Sequence, residues 1–541
     1  MLPWVNRAVF VDDTLFLWSA KRILSTPADF YGGTANWGGT TDRFVDVVMN
    51  PPLVSYYLAA IAGVVGFREV PLHVAMMVPA VATILGTYEL ARRVSHRPLL
   101  AAAALLCSPV FLLCSITLMC DITMLALWVW SLALWLRGFD RDEYWSMALG
   151  SLLIGFCGLA KYFGIALLPL VLLYGCARQR RLGLWALWLL IPIGMLAVFE
   201  WHSHRMYDRF LIWDAANFAT IATTEQQSAW WNRAHFALVY AGAGVASLAF
   251  WTPWLWNWRT TLGFAIGTVL LGAILIGIGT YGSESLKSPD GVQWNLVIHL
   301  TVFAAIGIQA LLLMLNDLVR RRDAESLLLS AWIAGTFVFV AWLNWTINGR
   351  TVLPLAPVVA LLIARKLDAR NTEPSLLTWP NWRPLTSLGL GLALSLLLCW
   401  SDCRTAATEK ESALKLAATY VSPTGKHTLW FEGHWGFQYY LDEQGAYCID
   451  YHGSVIEPQD VVVVQNDNPA VNLIPSTWQF IGVLDAPVPS WLSTNSMDAG
   501  ASFYSHVMGP LPYRFGKVPA RRYAVLRTPD RYEFTPQTPT S

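Results

Sequence analysis

Three ionisable residues stand alone in long apolar stretches. Asp121 is the only charged residue between Arg97 and Arg137, Lys161 the only one between Glu143 and Arg178, and Arg350 the only one between Glu325 and Arg365. A charge inside a membrane segment is costly, so each one retained calls for a partner or a task. Near the start of the chain Asp12 and Asp13 stand side by side, ahead of a short apolar run. A carboxylate takes a proton from an attacking hydroxyl or amine. Arg and Lys, with a divalent cation held by the carboxylates, stabilise a phosphate leaving group. Together these residues suit chemistry on an anionic lipid head group, provided that their elements end at one membrane face. Taken singly, each charge fits a snorkelling role at a helix end, and an Asp pair fits the first turn of any helix.

Other candidates carry less. His202 and His204 follow the apolar run ending near Trp201, with Glu200 beside them as a helix-end acid. An HxH pair is a candidate metal site, although two histidines in an interfacial loop are more often simply solvated. The tryptophans at 230, 231, 251, 254, 256 and 258 read as interfacial belts.

The elements that must position these residues are membrane helices. Of 541 residues only 13% are charged, against about 25% in ordinary globular chains, while 55% are hydrophobic and 28 are Trp. That excludes a soluble enzyme, a disordered chain and a fibrous repeat. A net charge of +1 and the lack of a basic arm exclude a nucleic-acid binder that works through charge. Most of the eight cysteines lie in apolar runs as small hydrophobes, and none has zinc spacing. Cys403 and Cys448 are the pair that an oxidising compartment would join.

Runs long and apolar enough to span lie at roughly 71–91, 98–118, 121–137, 183–201, 234–254, 260–281, 292–316, 326–346, 350–365 and 384–400. The stretch 144–177 has arginines on both flanks, so it reads as a hairpin of two short helices with Lys161 at its tip. The remaining short loops alternate. Arg92, Arg93 and Arg97 share one side with Arg259, with Arg320 to Arg322, and with Arg365, Lys366, Arg370 and Arg383. By the positive-inside rule that side is cytoplasmic. Asp12, Asp13, Asp121, Lys161 and Arg350 then lie near the outer surface, together with 202–233 and everything after Trp400.

Twelve spans is an even number, so residues 1–70 lie outside too, and the chain is expected to begin just after a missing first transmembrane helix. Residues 13–25 and 51–66 read as helices lying along the outer surface, joined by an irregular loop over 27–50. The polar tail 401–541 predicts strands at Thr428–Glu432, Asp460–Gln465, Trp478–Val483 and Tyr523–Arg527, with helical pattern at 408–420 and 434–442.

The ordered motifs resemble a known family. Val11-Asp12-Asp13-Thr14-Leu15-Phe16 is similar to an Asp-Glu motif that opens a first external loop, and Asn50-Pro51-Pro52-Leu53 with Tyr56-Tyr57 to the start of an external helix. Asp121 in Leu118-Met119-Cys120-Asp121 resembles a second-loop aspartate. Gly158-Leu159-Ala160-Lys161 resembles a shortened Gly-Leu-x-x-x-Lys region, and Asn348-Gly349-Arg350 with Leu353-Pro354-Leu355-Ala356-Pro357 an Arg-Tyr-x-x-Pro-x-x-Pro stretch. These are features of integral-membrane glycosyltransferases of the GT-C class, of the protein O-mannosyltransferase and lipid A aminoarabinose transferase type. The likeness spans about residues 1–400. The aminoarabinose branch has Glu-Lys-Pro where this chain has Asn50-Pro51-Pro52 without a lysine.

The fold expected is an all-α polytopic GT-C membrane domain over 1–400, its first external loop at 12–70, with a small α/β external domain at 401–541. The resemblance implies inverting transfer of a sugar from a polyprenyl-phosphate donor to a lipid, glycan or protein acceptor at the outer face of a bacterial inner membrane. Asp12 is then the general base, Asp13 the adjacent acid, Lys161 and Arg350 the donor-phosphate ligands, and Asp121 a group holding a divalent metal cation or positioning the donor. The alternative from the residues alone is a lipid or solute transporter, or flippase, with the lone charges lining its pathway.

Overall fold

The computed structural model describes residues 1–225, 230–282, 284–369, 382–421, 427–471 and 475–535. Eight helices among them are long and apolar enough to cross a membrane: Glu69–Val94, Asp121–Arg141, Tyr162–Gln179, Leu184–Tyr207, Trp258–Ile278, Trp294–Arg321, Ala324–Leu343 and Pro384–Tyr420. The pair Trp230–Gly244 and Leu248–Leu255 makes a ninth if its 85° bend lies within one span. The expected count of twelve is therefore not met by full-length helices. The run 98–118 breaks into Pro98–Leu106 and Pro109–Cys114. Pro109 lacks an N–H and disfavours helical backbone before it, and Ser108 is accordingly extended. Tyr144–Ala160 has 17 residues and Leu355–Asp368 has 14, the latter buried along nearly its whole length by other helices. The hairpin over 144–177 has the expected form, with Lys161 between Tyr144–Ala160 and the turn at Tyr162–Ala166.

Ion pairs tie the arginine-rich ends of these helices into one layer. Arg93 bonds Asp140 and, at 3.1 Å, Glu325; Arg97 reaches Asp368 at 3.2 Å; Arg365 reaches Asp317 at 3.1 Å. Asp121 starts the helix that ends at Arg141, and 21 residues of helix separate the two ends by about 30 Å. Arg370 and the side chain of Arg383 lie outside the described residues. Trp230, Trp231 and Trp258 are well exposed, as a belt requires, whereas Trp251 is 1% exposed and packs in the core.

At the opposite end helices Asp13–Ser25 and Leu53–Val65 pack together. The link between them is less irregular than expected, because Thr34–Asn36 pairs with Thr41–Arg43 as an antiparallel hairpin. Helix Trp382–Tyr420 runs unbroken for 39 residues from the apolar bundle into the tail, so no loop separates the two at 401. The tail's main sheet has five strands in the order Gln479–Ala486, Arg521–Arg527, Val461–Gln465, Leu429–Glu432, Tyr447–Cys448. The four-valine run Val461–Val464 is buried on both faces as the central strand, parallel to Leu429–Glu432 and antiparallel to Arg521–Arg527. Helix Gly436–Glu443 follows its strand as the pattern predicted. All eight cysteines are unpaired, the candidate pair Cys403 and Cys448 included.

Backbones approach closely where glycine allows it. A β-carbon on Gly242 would lie 1.8 Å from the Phe303 carbonyl oxygen, so helices Trp230–Gly244 and Trp294–Arg321 meet at a small-residue contact. Gly242→Val is expected to force them apart and destabilise the detergent-solubilised protein by about 2–4 kcal/mol. A thermal-unfolding series checks it; an unchanged midpoint would mean that the contact has room to relax.

Candidate active site

Four separate parts of the chain bring opposite charges into one row. Asp12 caps helix Asp13–Ser25 without any capping bond from its side chain, which leaves the carboxylate to accept from Arg350 Nη2 at 2.6 Å. Arg350 lies in the irregular stretch between helices Ala324–Leu343 and Leu355–Asp368, and its Nη1 is 3.9 Å from Asp121 Oδ2. Asp121 occupies the first turn of its helix, where the helix dipole favours a carboxylate. Its Oδ1 accepts from Lys161 Nζ at 2.5 Å. Lys161 reaches it because the backbone turns extended directly after Ala160. The order is thus Asp12, Arg350, Asp121, Lys161, with alternating sign and zero formal charge in sum.

Burial grades along this row. The Asp121 side chain has no exposed surface, Arg350 retains 12% and Lys161 16%, while Asp12 retains 26%. Burial works against the charged Arg350, yet Asp12 and Asp121 outweigh it and raise its pKa above the ordinary arginine value. Two buried atoms of the row have no hydrogen-bond partner, the acceptor Asp121 Oδ2 and the donor Arg350 Nε. A bound group that presents both an acceptor and a donor would complete them. Arg350 Nη1 otherwise meets only Met119 Sδ, at 2.9 Å, a weak acceptor.

Asp13 is not part of this row. It is fully buried, and its carboxylate accepts from Arg7 Nη1 at 2.7 Å, from the Phe10 amide at 3.2 Å and from the Leu118 amide at 2.8 Å. Its expected role as a second acid at the chemistry gives way to that of an anchor for the turn before Asp12. That turn is strained. Val11 has φ 48°, a left-handed conformation that costs a β-branched residue about 1–2 kcal/mol. Arg7, which the sequence reading passed over, is buried and also bonds Asp402 at 2.9 Å and the Tyr504 hydroxyl at 2.9 Å. The arginine near the first Asp pair was the available signal; its partners are far along the chain.

The histidine pair does not form a metal site. Helix Leu190–Tyr207 continues past Trp201, so His202 and His204 lie two residues apart on it and point about 200° apart. His202 pairs with the Ala28 carbonyl at 3.0 Å, and His204 stacks on Phe210 with ring centres 4.5 Å apart. Glu200 accepts from the Ile212 amide at 2.5 Å and caps the next helix. Among the described residues no group of three or more His, Cys, Asp or Glu side chains is placed to hold a metal ion. At Asp12 and Asp121 the donor set does not suit a resident divalent cation, because Arg350 stands between the two carboxylates and Lys161 neutralises the second.

Two cavities at the junction of the first loop, the helices and the tail are lined by other residues than the row. One of about 370 Å³ lies between the first loop and the tail, bounded by Trp18, Asn36, Phe44, Gln438 and Asp442. Another of about 330 Å³ is bounded by Val9, Leu118, Glu69, Lys410 and Tyr440. Within the row Asp12 is the most exposed of the four and Asp121 the most enclosed.

The family of dolichyl-phosphate-mannose-protein mannosyltransferases matches this chain over residues 49–203. That segment holds Asp121 and Lys161 and leaves out Asp12 and Arg350. Among solved structures, ArnT of Cupriavidus metallidurans bound to undecaprenyl phosphate is similar at 15% identity, with 86% of this chain and 90% of that one covered and a TM-score of 0.40. The apo oligosaccharyltransferase of Archaeoglobus fulgidus is similar at 14% identity with a TM-score of 0.45, over 82% of this chain and 61% of that one. No curated protein matches the chain. Over residues 49–203 the match bears out the resemblance to dolichyl-phosphate-mannose-protein mannosyltransferases, and the apolar helices with the strand-bearing tail bear out the expected helical polytopic domain followed by an α/β one.

The two adjacent carboxylates are expected to separate in a stability measurement. Asp13→Asn removes a fully buried carboxylate that accepts three bonds and costs about 3–5 kcal/mol although Asp402 stays with Arg7, whereas Asp12→Asn removes a partly exposed carboxylate, leaves Asp121 beside Arg350 and costs about 1–2 kcal/mol. Thermal unfolding in detergent reads the difference; equal losses would place both acids in one environment.

Proposed function

We propose that this protein transfers a sugar from a polyprenyl-phosphate donor to a lipid, glycan or protein acceptor, with inversion, at the outer face of a bacterial inner membrane. The observation that carries the reading is the convergence of Asp12, Arg350, Asp121 and Lys161 at one end of the helices. The ion-paired arginine layer at the other end supports the orientation, since basic residues concentrate on the cytoplasmic side. The mannosyltransferase family match supports a lipid-phosphate sugar as donor.

In the resting site Arg350 neutralises Asp12. A donor phosphate competes for that guanidinium, because Arg binds phosphate oxygens with charge-assisted hydrogen bonds. Drawing Arg350 toward the phosphate frees the Asp12 carboxylate as a base. Lys161, held by Asp121, supplies the second cation, and the unpaired Asp121 Oδ2 receives a hydroxyl of the bound donor. Asp12 then accepts the proton of the acceptor hydroxyl or amine. The acceptor atom attacks the anomeric carbon from the side opposite the phosphate. The bond from that carbon to the phosphate oxygen breaks, and the electron pair leaves with the phosphate, stabilised by Arg350 and Lys161. No step is routed through a metal. Asp13 acts at one remove, by fixing the turn that presents Asp12.

The test is transfer from a labelled polyprenyl-phosphate sugar by the full chain in lipid nanodiscs. Asp12→Asn is expected to lower kcat by about 10²- to 10⁴-fold with little change in donor KM. Lys161→Ala is expected to raise donor KM as well as lower kcat. Turnover by Asp12→Asn near that of the unaltered protein would remove the assignment.

A further inference from the structure

Both halves of the site rest on one short segment of the tail, Phe503 to His506. The first half is the strained turn before Asp12. Asp13 locks that turn, Arg7 locks Asp13, and the Tyr504 hydroxyl meets Arg7 Nη2 at 2.9 Å and Asp402 Oδ1 at 3.0 Å. Asp402, on the long tail helix, completes the same buried knot through Arg7 Nε, and Thr494 donates to it at 3.1 Å. The Tyr504 ring also packs edge-on against Phe10, with centroids 5.6 Å apart.

The second half is the loop that carries Arg350. The Gly349 amide donates to the Phe503 carbonyl at 2.7 Å, and the His506 amide to the Ile347 carbonyl at 2.8 Å. The Ile347 amide in turn donates to His506 Nδ1 at 3.1 Å. A β-carbon on Gly349 would fall 2.1 Å from the Phe503 ring, so the loop is seated directly on the tail. The Arg350 guanidinium lies over the Tyr504 ring, 5.9 Å from its centroid. One residue therefore bonds the network that aims Asp12 through its hydroxyl and supports Arg350 through its ring.

We propose that Tyr504 is a positioning residue for the transfer reaction, setting Asp12 and Arg350 at their working separation, so that the tail domain is a structural half of the active site. The inference rests on the reading of Asp12 as base and Arg350 as phosphate ligand. It divides the two functions of one side chain between two substitutions. Tyr504→Phe keeps the ring and removes the hydroxyl. Tyr504→Ala removes both.

The experiment uses the full chain in lipid nanodiscs, with transfer from a labelled polyprenyl-phosphate sugar, binding of undecaprenyl phosphate and thermal unfolding measured on the same preparations. Tyr504→Phe is expected to lower kcat per folded molecule by about tenfold or more, while donor KM and undecaprenyl phosphate affinity stay within about twofold. Tyr504→Ala is expected to lose about tenfold in undecaprenyl phosphate affinity in addition, because Arg350 is no longer seated. Tyr504→Phe with unaltered kcat per folded molecule overturns the proposal, as does a loss that only tracks the folded fraction. Tyr504→Phe decides the matter alone if Tyr504→Ala does not fold. An unaltered protein that binds undecaprenyl phosphate but forms no glycosidic bond sinks the transfer reading instead. In that case Tyr504→Ala binding undecaprenyl phosphate as tightly as the unaltered chain sinks this one.

Discussion

Taking a carboxylate or a guanidinium out of water costs several kcal/mol unless an opposite charge and hydrogen bonds compensate it. Asp121 has no exposed side-chain surface, so it is tolerable only with Lys161 and Arg350 beside it. Arg350 in turn, with little surface left, draws its compensation from Asp12 and Asp121. The demand for compensation fixes where the hairpin tip, the turn before Asp12 and the loop after Leu343 must meet. The rest of this end of the molecule follows from that meeting. Such a row also leaves a ligand an opening, because an incoming anion exchanges one compensated state for another without exposing a bare charge.

A second buried knot lies behind the first. Arg7 joins Asp13, Asp402 and Tyr504, so the first loop, the long helix and the tail are tied at one guanidinium. The alternation of charge is the same device used twice, with different ends. In the outer row the polar atoms Asp121 Oδ2 and Arg350 Nε remain unpaired. In the inner knot every nitrogen of Arg7 has a protein partner, and Asp13 accepts three bonds. The outer row thus keeps hydrogen-bonding capacity that the inner knot has spent on the frame.

Much of this was legible in the sequence. A lone charge in an apolar run is visible without coordinates, and the alternation of arginine-rich loops assigns such charges to one end; Asp121, Lys161 and Arg350 stand out that way, Asp12 stands out as half of an acidic pair, and the four do meet. What failed was local phase and local breakage. The HxH reading assumed that a helix stops near Trp201, but it continues to Tyr207, and helical spacing then drives His202 and His204 apart. The run 98–118 looked like one span because its composition is uniform, and Pro109 divides it. Asp13 was grouped with Asp12 because they are adjacent, whereas successive residues at a helix start face different surroundings. Arg7 was passed over because its value lies in partners 395 and 497 residues away, which no window of sequence reveals.

Those separations bear on how the molecule is made. Arg7 and Asp13 leave the ribosome hundreds of residues before Asp402 and Tyr504, and chains are threaded into membranes from the first end onward. Through most of synthesis the N-terminal turn has its arginine and its aspartate but neither of the distant acceptors. Assembly of this end therefore waits for residue 504, and a ribosome that stalls before it leaves behind an inserted helical bundle with Arg7 still without Tyr504.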